Sequence, residues 1–183
     1  MAVIKKTPPS FLSEEFFAEG SQYQSYKDIY RKAVDWGINT NPLDIETFIR
    51  KHGIRIVRED MEDDLSGYIE LRNNYWVLGI DKYQNLRRQR FTLAHEFAHF
   101  LFDKTDIETA GRLSDQIMLR SEETDPKERR ASEFAAELLI PKHLFKQQVD
   151  SGVRDIAELA ERFDVSMAAI RYRAYKLNYI KRY

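Results

Sequence analysis

The amino-acid sequence predicts an α+β fold in which a small antiparallel β-sheet packs against helices. Apolar residues recur at helical spacing before Gly53, and short alternating or apolar runs follow between Ile54 and Asp81. Helical spacing returns from Leu86 onward. Because helices and strands are grouped along the chain and do not alternate as β-α-β units, this order favours α+β over a parallel α/β sheet.

Two helices are predicted before the sheet, after a loosely held lead-in over residues 1–20. Residues 21–36 carry apolar and aromatic side chains at helical spacing. In the next helix, Asn41 is the predicted N-cap, Pro42 the first helical position and Gly53 the stop. Three short segments, IRIVRE, LSGYIELR and YWVLGID, then predict the strands, and an Arg-Asn-Asn turn joins the last two.

The chain after the sheet is predicted to be mainly helical. One helix covers residues 86–102, a loop with broken helix covers 103–124, and another helix covers 125–141 between two prolines. Beyond Gly152, two short helices flank Phe-Asp-Val-Ser with the outline of a helix-turn-helix. We therefore expect a lead-in with the first helix, a core domain and a C-terminal helical pair, over residues 1–40, 41–150 and 151–183.

The composition narrows the possible functions. The chain has no cysteine, so it can form neither a disulfide framework nor a thiolate metal site. A formal net charge of −1 does not indicate the overall basic surface that is typical of nucleic-acid-binding proteins. No segment approaches the ~20 apolar residues of a membrane span, and a cytoplasmic location is the default expectation.

The stretch RFTLAHEFAHF carries the clearest chemistry. His95 and His99 are four residues apart on the predicted helix, so both imidazoles can point at one metal ion. Glu96 can reach a water on that metal and act as a general base. The alternative is an amphipathic helix with two histidines in its polar strip. That alternative is disfavoured because the neighbours are mostly apolar, and an unpaired imidazole beside a buried surface is costly.

A catalytic zinc site needs a third protein ligand and an open position. His52 lies far upstream and His143 follows a helix-ending proline, so a carboxylate is the expected donor. Glu128 is the geometric choice because it lies beside the predicted apolar face of its helix, whereas Glu133 and Glu137 point roughly the opposite way.

Alternatives to this third ligand remain. Asp125 and Glu128 match a capping box, in which Glu128 only closes the helix start. Asp103 and Asp106, in the preceding predicted loop, are runners-up as ligands.

Two blocks, RQRFTLAHEFAHFLF and ERRASEFAAELLIP, together resemble the ImmA/IrrE family of zinc metallopeptidases. The family pattern is Arg-Phe-Thr-x-Ala-His-Glu-x-x-His, followed by Glu-x-x-Ala-Asn-x-Phe-Ala and Leu-Leu-x-Pro. Here Ser132 replaces the usual Asn and Phe97-Ala98 replace the common Leu-Gly, and neither change touches an expected ligand. The resemblance covers about residues 40–180 and is densest over 66–141.

This resemblance implies a zincin-like core with Zn²⁺ held by His95, His99 and Glu128, and with Glu96 as base and proton shuttle. It also implies regulation, because family members accompany mobile elements and phages and cleave or inactivate a helix-turn-helix repressor. Some members are instead regarded as stress-response regulators. We expect a zinc endopeptidase; the rival is a non-catalytic zinc-containing regulator that binds DNA or sequesters a repressor. Retention of Glu96 favours the enzyme, because zinc binding alone does not need it.

The C-terminal helical pair has three possible roles. Residues 171–182 hold five basic side chains and no acid, which would suit a DNA-contacting helix. The bulky Tyr172, Tyr175 and Tyr179 instead favour packing on the core or contact with a protein partner, including the repressor. DNA binding is therefore possible but not favoured.

Four other residues are weaker candidates. A tyrosine from the strand cluster Tyr68, Tyr75 and Trp76 can stabilise an oxyanion opposite the zinc, although cross-strand packing is the favoured interpretation. Arg90 can orient a carboxylate or lie in solvent, and the sequence does not decide between these roles.

Overall fold

The α+β prediction is confirmed. The computed structural model describes residue 17 and residues 22–62, 65–116 and 125–181. In this part of the chain there are eight helices and one four-stranded sheet. The elements in chain order are α1 (Tyr26–Asp35), α2 (Ile45–Lys51), β1 (Arg55–Glu59), β2 (Leu65–Arg72), β3 (Tyr75–Asp81), α3 (Leu86–Phe102), α4 (Lys104–Ala110), β4 (Arg112–Gln116), α5 (Pro126–Leu139), α6 (Lys142–Asp150), α7 (Ile156–Phe163) and α8 (Met167–Lys176).

The sheet is mixed, which corrects the prediction of a purely antiparallel sheet. Its strand order is β1-β3-β2-β4, with β1 parallel to β3 and with β2 antiparallel to both of its neighbours. The hairpin of β2 and β3 turns through Asn73 and Asn74, which both have positive φ values, at 50° and 64°. This local turn fixes the β2–β3 pair, but it carries no information about which edge β1 joins.

Three local assignments also differ from the prediction. The N-cap of α2 is Asp44, not Asn41, because the Asp44 carboxylate accepts a hydrogen bond from the Thr47 N–H at 3.0 Å. Pro42 therefore precedes the helix and follows a cis peptide bond. Residues 112–116, predicted as loop, form the edge strand β4 on β2, and α6 was not predicted.

Helix α3 is the centre of the molecule. It lies against β2 and β3 on one side and α5 on another, and its side chains from Thr92 to Phe100 are all buried. The predicted bounds of this helix are confirmed at both ends. The small residues Ala131 and Ala135 are buried along α5, which lets the two helix axes approach closely.

Helix α5 is held from its other sides by α1 and α8. The Tyr30 hydroxyl of α1 donates a hydrogen bond to the Leu138 carbonyl at 2.8 Å. From α8, the buried Arg173 pairs with Glu137, and Lys176 pairs with Glu133 at 3.1 Å. Two of the basic side chains that kept the DNA-contacting alternative open thus face the core.

Across the described ranges, none of the helices combines the length and the apolar character that crossing a lipid bilayer requires.

Candidate metal centre

The fold brings the three predicted ligands together. His95 and His99 lie on successive turns of α3, and Glu128 lies in the first turn of α5. The Glu128 carboxylate spans both imidazoles, with Oε2 at 3.0 Å from His95 Nε2 and Oε1 at 3.3 Å from His99 Nε2. One ligand atom from each residue lies within 4.8 Å of the other two, and the group could therefore hold a metal ion.

The capping alternative for Glu128 does not describe this geometry. Asp125 is the N-cap of α5 and accepts a hydrogen bond from the Lys127 N–H at 2.8 Å. The Glu128 carboxylate instead contacts the two histidines. This contact is expected, because Glu128 lies on the same face of α5 as the buried alanines. Glu133 and Glu137 point away from the histidines, as expected, and pair with side chains of α8.

The remote nitrogens of both imidazoles have partners that orient the rings. His99 Nδ1 lies 2.9 Å from Asp103 Oδ2, and Arg130 donates to the other oxygen of Asp103 at 2.7 Å. His95 Nδ1 lies 3.4 Å from the Ser132 hydroxyl. With the Nδ1 positions engaged in this way, both Nε2 atoms are directed at the Glu128 carboxylate.

Asp103 therefore supports a ligand and does not itself join the cluster. Sequence reasoning ranked it only as a runner-up ligand, although its place four residues after His99 was a usable signal for this contact. Asp106, the other runner-up, is exposed and pairs with Lys127.

The charges of the cluster support one another. Burial by itself would lower the pKa of His99, but hydrogen bonds to Asp103 and Glu128 and the nearby charge of Glu96 raise it to about 10. Burial would raise the pKa of Glu128, but the two imidazoles lower it to about 2. The Glu128 carboxylate and the His99 imidazole thus stabilise each other's charged form.

Glu96 lies beside the cluster in a fully buried position. It lies on α3 between the two histidines, and its Oε1 faces Gly67 of β2 so closely that a Cβ at Gly67 would be 3.2 Å away. That same Cβ would be only 2.4 Å from Thr92 Cγ2. Gly67 therefore lets α3 lie close to the sheet with the Glu96 carboxylate between them.

We expect Gly67→Ala to destabilise the fold by about 1–3 kcal/mol, because the added methyl group overpacks this contact. Urea denaturation of both proteins measures the difference. Thr92→Ser removes the Cγ2 atom that causes the closest clash, so it should recover part of the loss in the Gly67→Ala background. Equal stability of Gly67→Ala and wild type would show that the helix does not approach the strand as described.

The other sequence candidates do not reach the cluster. Tyr68 and Tyr75 lie on the sheet face opposite α3, because they alternate with Gly67, which faces the helix. The Tyr68 hydroxyl donates to Glu59 at 2.9 Å, and Tyr75 is exposed beside Arg55. These positions fit cross-strand packing, the interpretation that the sequence favoured, and bring neither hydroxyl to the cluster.

The remaining aromatic and histidine candidates have structural contacts. Trp76 packs edge-on against Phe100. His52 lies in an aromatic cluster, where its Nε2 is 2.7 Å from the Tyr23 hydroxyl. His143 packs against the Tyr30 ring.

We expect Asp103→Asn to weaken metal affinity by about 10- to 100-fold, because a neutral amide makes the His99 imidazole a poorer donor. Competition with a chromophoric chelator measures this affinity. The matched control is Asp106→Asn, since Asp106 is also acidic but pairs with the exposed end of Lys127 and lies outside the metal-binding group. Affinities that are equal in the two variants would contradict the orienting role of Asp103.

An α+β fold that brings two helical histidines and a glutamate together beside a buried glutamate is typical of the metallopeptidase class. The sequence profile described as Peptidase_M78, IrrE N-terminal-like domain, matches residues 49–175. This match covers well over half of the chain, and the chain belongs to this peptidase family. The resemblance found in the sequence is thereby confirmed.

Comparison of structures finds the same fold in a Mycobacterium tuberculosis transcriptional regulator. The TM-score is 0.58 and the identity 21%, and the alignment covers 87% of this chain and 49% of that chain. The present chain thus spans about half the length of that protein. Comparison with curated protein sequences gives no match.

Proposed function

We propose that this protein is a zinc-dependent endopeptidase that cleaves, and so inactivates, a helix-turn-helix transcriptional repressor. The observation that carries the proposal is the convergence of His95, His99 and Glu128, with the buried Glu96 on the same helix, in a chain of a peptidase family. Cleavage of a repressor would place the protein in the cytoplasm, and the sequence resemblance to repressor-targeting peptidases of mobile elements supports the choice of substrate.

Zinc is the proposed metal because of the donor set. Two imidazole nitrogens and one carboxylate, with no thiolate in the chain, match the donor set of catalytic zinc sites, so His95, His99 and Glu128 would hold the ion. When bound, Zn²⁺ would polarise the scissile carbonyl and lower the pKa of the attacking water. The Asp103–His99 contact would keep the His99 Nε2 directed toward the ion.

The proposed catalytic residue is Glu96. Its carboxylate is fully buried on α3, one residue after the ligand His95, so it can accept a proton from the attacking water. The same group can then give this proton to the amine that leaves when the peptide bond breaks. The close packing of Gly67 limits the positions that the carboxylate can adopt, which favours transfer over a fixed path.

We propose that the C-terminal pair packs on the peptidase core and does not read DNA. Arg173 is 2% exposed, donates from Nε to the Ile140 carbonyl at 2.9 Å and pairs with Glu137. Because its donors are engaged in these contacts, the Arg173 side chain is not available to bind a phosphate group or a base of DNA. The family match ends at residue 175, so it includes most of this pair with the core.

The rival function is a zinc-containing regulator that sequesters a repressor or binds DNA. We test this second function because the fold is similar to that of a protein named as a transcriptional regulator. Cleavage and sequestration can both relieve repression, and only the integrity of the repressor separates them.

The experiment has two measurements. Elemental analysis of protein purified without chelator should give about one zinc per chain, as expected for three protein ligands and an open position. The protein is then incubated with the helix-turn-helix repressor encoded nearest to its gene, with and without chelator. We expect fragments of the repressor only without chelator. An intact repressor that nevertheless leaves its operator would support the sequestering regulator instead.

A further inference from the structure

A buried arginine of the C-terminal pair holds the helix that carries Glu128. Arg173 of α8 donates from Nε to the carbonyl of Ile140, the C-cap of α5, at 2.9 Å. Its Nη2 atom donates to the Glu137 carboxylate, which lies in the last turn of the same helix. The guanidinium is planar, so its donors have a fixed mutual geometry. Arg173 therefore restrains a backbone group and a side chain of α5 at the same time.

Glu137 has a partner on each of its two carboxylate oxygens. Oε2 faces Arg173, and Oε1 accepts a hydrogen bond at 3.1 Å from the N–H of Lys142, the first residue of α6. Because a donor that loses its acceptor inside the protein is costly, movement of this carboxylate away from its partners would be unfavourable. The end of α5 is thus joined to both α6 and α8.

The C-terminal pair also contacts α3, the helix that carries the two histidines. Asp164, in the turn between α7 and α8, pairs with Arg87 at 3.5 Å and with Arg90 at 3.7 Å. Arg90 thus orients a carboxylate, one of the two roles that the sequence left open. These ion pairs are long and the Asp164 side chain is 49% exposed, so they add little stability. They show that the pair spans both helices that carry the expected metal ligands.

The rotation of α5 about its own axis matters for the metal centre. Glu137 follows Glu128 by nine residues, which at about 100° per residue places it about 180° around the helix. A side chain ends about 5–6 Å from the axis of its helix, so a rotation of about 10° moves the Glu128 carboxylate by about 1 Å. Metal–ligand distances are held within about 0.2 Å. A contact that fixes the rotation of α5 therefore also places a ligand.

We propose that Arg173 is a positioning residue of the metal centre. It holds α5 on the side opposite Glu128, and so keeps the Glu128 carboxylate in contact with the two histidines. Lys176 lies one turn further along α8, but it is 31% exposed and pairs with the side chain of Glu133, so it should contribute little to this role. The inference rests on the proposed metal centre but not on the choice of substrate.

The test is the double variant Arg173→Met with Glu137→Gln, studied as the full chain. It removes both charges and the arginine fork, while the side-chain volumes stay similar and an amide oxygen can still accept from the Lys142 N–H. Replacement of a buried ion pair by neutral groups often leaves stability nearly unchanged. In competition with a chromophoric chelator, we expect the zinc affinity to fall by about 10-fold, the lower end of the loss when an outer contact of a metal ligand is removed. The visible absorption of the Co²⁺-loaded variant should also differ from that of wild type, because it reports the geometry around the ion.

The matched control is the double variant Lys176→Met with Glu133→Gln, which removes a more exposed ion pair between α8 and α5. It should bind zinc as tightly as wild type. A contact that only stabilises the fold would lower the melting temperature of either variant, but it would leave the zinc affinity of the folded protein unchanged. If circular dichroism shows that Arg173→Met with Glu137→Gln does not fold, Arg173→Lys replaces it. Its affinity should also fall, because one ammonium group lacks the arginine fork.

Two results would overturn the positioning role. One is a folded variant at Arg173 with the zinc affinity and the Co²⁺ absorption of wild type. The other is an equal loss of affinity in the control, since the effect would then follow from any loosening of α8. Neither measurement uses peptidase activity, so a wild type that binds zinc but leaves the repressor intact contradicts only the proposed function. A wild type that retains no metal contradicts both.

Discussion

Glu128→Gln is expected to lower the zinc affinity by more than about 100-fold while the protein stays folded. Loss of an outer contact to a ligand costs about 10- to 100-fold, and an amide in place of a carboxylate ligand should cost more, because it removes the negative charge that faces the dication. The Glu128 oxygens contact both imidazoles, and within the described ranges Glu128 is the carboxylate of the metal-binding group.

The matched control is Glu133→Gln on the same helix. Glu133 pairs with Lys176 of α8, and at about 100° per residue it points about 140° around α5 from Glu128. Zinc affinity is measured by competition with a chromophoric chelator, and the helix content is followed by circular dichroism. Retained affinity in Glu128→Gln together with lost affinity in Glu133→Gln would mean that the third ligand was chosen wrongly.

The parts of the fold that the sequence predicted well are those with local signals. Helix α3 was predicted with both bounds correct because apolar spacing is dense between Phe91 and Leu101. The N-cap Asp125 was also predicted correctly, since a cap depends on a side chain and on amides two or three residues away.

The parts that the sequence did not predict depend on distant contacts. β4 reads Arg-Leu-Ser-Asp-Gln and has little strand character of its own; it forms because β2 offers a free edge. The parallel pairing of β1 with β3 also depends on distant contacts, because either outer edge of the β2–β3 hairpin could accept β1. The cap of α2 was misplaced because a proline at a first helical position is a common pattern, whereas the Asp44 carboxylate has the stronger local contact.

The candidate site divides in the same way. The motif and the helical face of Glu128 could be found from spacing, because i and i+4 residues share a face. The contact of Gly67 with Glu96 could not be found, since it joins a strand to a helix. The burial of Arg173 could not be predicted from the sequence either. A run of basic residues shows the charge of a segment, but it does not show which of its side chains pack against a neighbouring helix.

Glu96→Gln is expected to reduce the rate of peptide hydrolysis by about 10²–10⁴-fold, the usual cost of losing a general base. Glutamine has nearly the same shape as glutamate, so the packing against Gly67 should persist. Zinc content and thermal stability should therefore stay close to those of wild type. Loss of activity with retained zinc indicates a catalytic role for Glu96. Loss of a metal ligand, as in Glu128→Gln, should instead lower both the zinc content and the activity.

The decisive comparison uses the repressor as substrate, with cleavage and binding measured separately. Wild type should cut the repressor, whereas Glu96→Gln should bind it with similar affinity and leave it intact over the same time. Glu158→Gln is a suitable control for the lost charge, since Glu158 is exposed on α7 and pairs with Arg162. Its rate should equal that of wild type. If wild type and Glu96→Gln relieve repression equally while the repressor stays whole, zinc has a structural role and the protein acts by sequestration, because a base that can be removed without effect is not part of a reaction.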